Sequence, residues 1–80
     1  MFDVLSFAAD NHVEVSVRPG SGRVLWEIFL RDRSRDLVEF TQIKDYEVAG
    51  LARVDIYIEQ RCERMLRNIR GARSAAERTA

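Results

Sequence analysis

The stretch Val24-Leu25-Trp26-Glu27-Ile28-Phe29-Leu30-Arg31 decides the fold. Successive side chains of a strand point to opposite faces. Read as a strand, this segment puts Val24, Trp26, Ile28 and Leu30 on one face, all apolar. The other face carries Leu25, Glu27, Phe29 and Arg31, which is mixed. A strand of this kind belongs in the middle of a small sheet, with a core beneath it and partial cover on its back.

The flanks extend that reading. Upstream, His12 to Arg18 alternates, with Val13, Val15 and Val17 facing in and His12, Glu14, Ser16 and Arg18 facing out. Pro19-Gly20-Ser21-Gly22 then forms a turn, because proline fixes φ and glycine permits positive φ. Downstream, Asp32-Arg33-Ser34-Arg35-Asp36 is a polar turn. A third strand follows over Leu37 to Ile43, with Val38 and Phe40 on one side and Leu37, Glu39 and Thr41 on the other. Loops this short join neighbours into an antiparallel meander.

The ends are read as helices. In Met1 to Asn11 the apolar residues Val4, Leu5, Phe7 and Ala8 suit a short helix capped by Asp3, with Phe2 stapled onto Phe7. A fourth strand over Asp3 to Phe7 is the alternative. After the third strand Asp45 offers an N-cap, and Glu47 suits the positive end of a helix. An apolar stripe at Leu51, Val54, Ile58, Cys62, Met65 and Ile69, widened by Val48 and Leu66, predicts a helix from there to Arg70. Gly71 is the expected stop, and residues 72–80 the expected frayed tail. The expected architecture is α+β: a three-stranded, alternatively four-stranded, antiparallel meander in one domain over residues 1–71, with a long C-terminal helix packed on one face. Such a helix is about 38 Å long, against about 25 Å for the strands. Met65, Leu66 and Ile69 therefore need cover that the sheet does not reach, from a second copy, a partner, or residues 1–11 folding over them.

Composition narrows the function. The 80 residues carry 13 basic and 13 acidic side chains, a net charge of zero. That argues against both an acidic DNA mimic and a general polyanion binder. Locally, residues 61–78 hold six arginines against two glutamates, a balance of +4. The series Arg61, Arg64, Arg67, Arg70 and Arg73 steps by three, so it winds around the helix axis. It fits a phosphate backbone or an acidic protein surface, and equally a solvated helix end whose cations suit the dipole. Arg18 to Arg23 surrounds a glycine turn but lacks the ending of a phosphate loop and precedes a strand. His12 and Cys62 are each the only residue of their type, so no metal site, cofactor site or catalytic constellation is expected. The single cysteine fits a reducing compartment. The N-terminus lacks a signal-peptide pattern, and no apolar run reaches membrane-span length. The expectation is a soluble cytoplasmic protein that is not an enzyme.

What remains are surfaces. Leu25 and Phe29, with Leu37 on the neighbouring strand, form an expected apolar patch rimmed by Glu27, Arg31 and Glu39. Such rimmed patches mark protein-binding surfaces. The helix adds Arg61, Arg64, Met65, Arg67, Ile69 and Arg70 as candidate partner-binding residues. In size, compactness and lack of chemistry the chain resembles the small phage or mobile-element inhibitors of anti-CRISPR type. The likeness lies in build alone, with no shared motif. It implies an inhibitor that docks on a host protein or CRISPR effector complex and blocks target DNA binding or nuclease recruitment. A homodimer and a nucleic-acid-binding regulator using the arginine helix are the rival readings. Zero net charge disfavours the second.

Overall fold

The computed structural model describes residues 2–48 and 54–79, with side chains as far as residue 71. The elements run in the order α1 (Val4–Asn11), β1 (Glu14–Pro19), β2 (Val24–Asp32), β3 (Leu37–Lys44), a single 3-10 turn (Asp45–Glu47) and α2 (Val54–Thr79). The strands make one antiparallel sheet in the order β1-β2-β3. Both helices lie on the same face, α2 over β2 and β3 and α1 against β1. This is the α+β meander that the alternation in β2 implies, with three strands and a short N-terminal helix.

Each end of α1 is fixed locally. Asp3 is the N-cap, and its carboxylate accepts from the Ser6 backbone N–H at 3.2 Å and from the Ser6 hydroxyl at 2.9 Å. Phe2 and Phe7 meet edge to face with centroids 5.5 Å apart, so the staple forms. His12 does not begin a strand. It closes α1 in the left-handed conformation, φ 56°, and β1 begins at Glu14. Its N–H and that of Val13 donate to Ala9 and Ala8 carbonyls, taking up the carbonyls left free at the helix end.

The hairpin between β1 and β2 depends on two glycines with different duties. Gly22 has φ +60°, which glycine adopts without strain. A Cβ on Gly20 would stand 2.5 Å from the Val24 carbonyl oxygen, so the turn closes only with hydrogen there.

Ile28, Leu30, Ile43, Cys62, Met65, Leu66 and Ile69 make the buried core. Phe2, Phe7, Val13, Val15, Trp26 and Leu37 are among the half-buried side chains packed around it. Met65 and Ile69 are each 3% exposed. Of the covers that the sequence leaves open, the N-terminal segment is the one present: Phe2 and Phe7 pack against the same cluster that Met65 and Ile69 join, so these two are core and not partner-binding residues.

The helical boundaries also move. Asp45 opens only the short 3-10 turn, and Val48 is extended, so no continuous helix starts there. Glu47 explains this: its carboxylate turns back to accept the Lys44 N–H at 2.6 Å and to bind Arg61, tying the turn to β3 and α2. Leu51 lies outside the described residues. Val54 to Ile58, which also alternates like a strand, is helical. Gly71 does not stop α2, which continues to Thr79 and includes the segment expected to fray. Gly71 does not take positive φ. Ala72, Ala75, Ala76, Glu77 and Arg78 are mostly strong helix formers that offset the roughly 1 kcal/mol cost of one helical glycine.

Candidate protein-binding surface

The β2–β3 register sets which residues share the uncovered face. Phe29 pairs with Phe40, Arg31 with Val38 and Glu27 with Gln42. On the other side of β2, Ser16 pairs with Phe29, Glu14 with Arg31 and Arg18 with Glu27. Directly opposed residues of an antiparallel pair project to the same face. The face therefore has a central row, Ser16–Phe29–Phe40, between the rows Glu14–Arg31–Val38 and Arg18–Glu27–Gln42. Phe29 is 36%, Val38 48% and Phe40 53% exposed. Among the described residues no helix packs on this side. Leu25 is half-buried beyond the row of Glu27, next to the irregularity between Val24 and Trp26.

This corrects the expected composition of the patch. Leu37 belongs to the opposite face, where it pairs with Asp32 and packs against the core. Glu39 also faces the helices and accepts from the Asn68 side-chain amide at 3.0 Å. The cause is one residue of loop. A five-residue turn over Asp32 to Asp36 would set Leu37 opposite Arg31. Asp32 is instead the last residue of β2, which leaves a four-residue loop. A shift of one residue moves every side chain of a strand to the other face. Asp32 stays in the strand because it is buried, 7% exposed, and organises the turn beneath it. Its carboxylate accepts from the Ser34 N–H at 3.1 Å and the Ser34 hydroxyl at 2.7 Å, and Arg35 approaches to 3.8 Å. Asp36 completes the turn with φ 53°. Phe40 and Val38, absent from the expected patch, thereby become its most exposed apolar members.

Charges frame the row. Arg31 lies 3.6 Å from Asp36, and Arg33 lies 3.3 Å from Glu14. These exposed pairs contribute little stability; they lie at the turn end of the face, one row from Phe29 and Phe40.

The arginine series divides by environment. Arg61 is drawn inward: it donates to the Gln42 carbonyl at 2.9 Å and the Thr41 hydroxyl at 3.3 Å, and it pairs with Glu47. Its role is to clamp α2 to the edge of β3, so it is unavailable as an outward ligand. Glu47 is held below its ordinary value, first by the Lys44 N–H and then by Arg61, against the opposing effect of burial. Arg70 donates to the Asn11 side-chain carbonyl at 3.3 Å, joining α2 to α1. Arg64 and Arg67 are exposed and line a surface hollow with Gln60, Glu63 and the partly buried Arg61.

Burial pushes the Cys62 thiol up to about 11, with Glu63 adding to the shift. At neutral pH Cys62 is a protonated core side chain and a poor nucleophile. Among the described residues no cluster of three His, Cys, Asp or Glu side chains could hold a metal ion. No described helix is long and apolar enough to cross a membrane. No family model, curated protein or solved structure matches the chain.

Proposed function

We propose that this chain is a non-catalytic binding protein that docks a protein partner through the open face of its sheet. The observation that carries this reading is the Phe29–Phe40 pair, two aromatic side chains held on a framed face and left 36% and 53% exposed. An aromatic centre within a charged rim is the usual anatomy of a protein-binding surface. Phe29, Phe40, Val38 and Leu25 form the centre, with Glu27 and Arg31 in the rim. Arg64 and Arg67 remain accessible on α2 for a second contact.

Within that class the narrower reading is a phage-type inhibitor acting in the cytoplasm on a CRISPR effector complex, by blocking target DNA binding or nuclease recruitment. Its support is the resemblance in size and build. Nucleic acid is less well supported as the partner, because Arg61 and Arg70 are engaged inside the chain. The test uses purified effector complex and labelled target DNA. Wild-type protein is expected to abolish target binding or cleavage. Phe40→Asp, confirmed as folded by circular dichroism, is expected to restore it. Equal inhibition by both proteins would remove the open face from the mechanism. No inhibition by wild type of any effector class assayed would end the narrower reading.

A further inference from the structure

The charges of the open face are arranged to match a second copy of the same face. Its outer rows differ in sign order: β1 and β2 carry Glu14 and Arg31 on one side of the Ser16–Phe29–Phe40 row, and Arg18 and Glu27 on the other. Take a twofold axis along that row, perpendicular to the strands and lying between two facing sheets. It leaves each residue over its own strand's counterpart and exchanges the two outer rows. Glu14 then meets Arg18 of the second copy, and Arg31 meets Glu27. The operation is isologous, so each pairing occurs twice. Phe29 and Phe40 lie on the axis, each against its own counterpart. A twofold axis parallel to the strands does the reverse and sets Arg31 against Arg31. Only one of the two simple face-to-face arrangements is therefore electrostatically matched.

We infer that in the free protein the occupant of this face is a second copy of the chain, stacked sheet on sheet with antiparallel strands about the Ser16–Phe29–Phe40 row, a weak contact that a host partner displaces. The inference rests on the reading of the open face as a docking surface. Aligned sheets pack about 10 Å apart and about 30° from parallel. At that angle a residue one row from the axis is displaced by about 3–4 Å relative to its partner. Arginine and glutamate side chains span that gap, with Arg31 and Glu14 sharing or exchanging their exposed in-chain partners Asp36 and Arg33. The face is small. Three strands about 4.8 Å apart and five residues of about 3.4 Å give about 15 by 17 Å. That lies below the standard interface size, so the dimer is a weak one.

The test is sedimentation from about 10 µM to about 1 mM, followed by a charge swap in two chains. Wild type is expected to pass from monomer to dimer across that range. Arg31→Glu sets the new carboxylate against Glu27 of the second copy, and Glu27→Arg sets the new guanidinium against Arg31. Each variant alone is expected to dimerise at least about tenfold more weakly than wild type. Mixed in equal amounts, they regain attraction at both positions, so a heterodimer of about wild-type affinity forms. Titrating one labelled variant with the other, read by NMR shifts at Phe29 and Phe40, detects it. A misfolded variant cannot give this rescue. The inference is overturned if wild type stays monomeric throughout, if the single swaps leave dimerisation unchanged, or if the mixture fails to associate. Failure of the broader docking reading looks different, since Phe40→Asp would then leave inhibition intact whatever the mass in solution.

Discussion

Phe29 and Leu30 are consecutive residues of β2, yet Leu30 is fully buried and Phe29 is 36% exposed. The two faces they represent are built by opposite means. Beneath Leu30, the side chains Ile28, Ile43, Cys62, Met65 and Ile69 close over one another, and the edges of that layer are filled by Phe2, Phe7 and the β1 valines. Around Phe29 the neighbours are Ser16, Phe40, the four charged residues Glu14, Arg18, Glu27 and Arg31, and on the β3 side Val38 and Gln42. Both helices are spent on the first face. Among the described residues no helix covers the second, whose apolar centre is bordered by charge on its β1 and β2 sides. The covered face makes the fold, and the open face, uncovered among the described residues, is the one to which docking is proposed.

The sharpest way to break this division is to remove a side chain from the covered side. Leu30→Ala empties a fully buried site at the centre of the sheet and is expected to cost about 2–5 kcal/mol. For a domain of this size each kcal/mol lowers Tm by about 4–8 °C. Thermal denaturation should therefore show a fall of at least about 8 °C, or no cooperative transition at all. A change of only a degree or two would mean that the core does not sit beneath β2.

Arg61 tests the seam between the sheet and α2. Arg61→Ala removes donors from the Gln42 carbonyl, the Thr41 hydroxyl and the Glu47 carboxylate, an expected loss of about 1.5–3 kcal/mol by urea denaturation. Arg64→Ala, one turn along on the exposed side, should change stability by less than about 0.5 kcal/mol. Equal losses would deny Arg61 its clamp. The pH profile adds a second readout. Because Glu47 titrates below its ordinary 4.5 in the folded chain, its contribution is present above that pH. It is lost as pH falls through the depressed folded value. Asp3, lowered by the Ser6 N–H and hydroxyl, titrates in the same acid window. Arg61→Ala should shallow the acid slope without abolishing it, since the Lys44 N–H is the larger cause of the Glu47 shift. An unchanged slope would show that Arg61 does not reach Glu47 in solution.

What could be read from the chain followed the range of the interaction. The alternation of β2, the Phe2–Phe7 staple and the stripe Cys62-Met65-Ile69 are local patterns, and each emerged where its period placed it. The face of β3 did not, although Val38 and Phe40 could be seen to share a side. It hinged on whether Asp32 ends a strand or begins a turn, which its burial against the rest of the fold decides. Arg61 looked like its neighbours because its partners Thr41, Gln42 and Glu47 lie 20, 19 and 14 residues away. Gly71 misled for the opposite reason: a glycine near a helix end signals a stop only if the chain takes positive φ there.

The smallest effect sharpens the comparison most. Phe40→Thr removes an aromatic side chain as large as any in the core, but from an edge strand where it is 53% exposed. Threonine suits a pleated strand, and the cross-strand contact with Phe29 contributes about 0.2–1 kcal/mol. The expected destabilisation is therefore below about 1 kcal/mol, measured by urea denaturation at a concentration low enough to keep the chain monomeric. Phe29→Thr should lose somewhat more, because β2 is central and Phe29 less exposed. The double variant should cost less than the sum of the two, since either single change already breaks the Phe29–Phe40 contact. If Phe40→Thr instead cost as much as Leu30→Ala, the open face would be a second half of the monomer's core and could not be its docking surface.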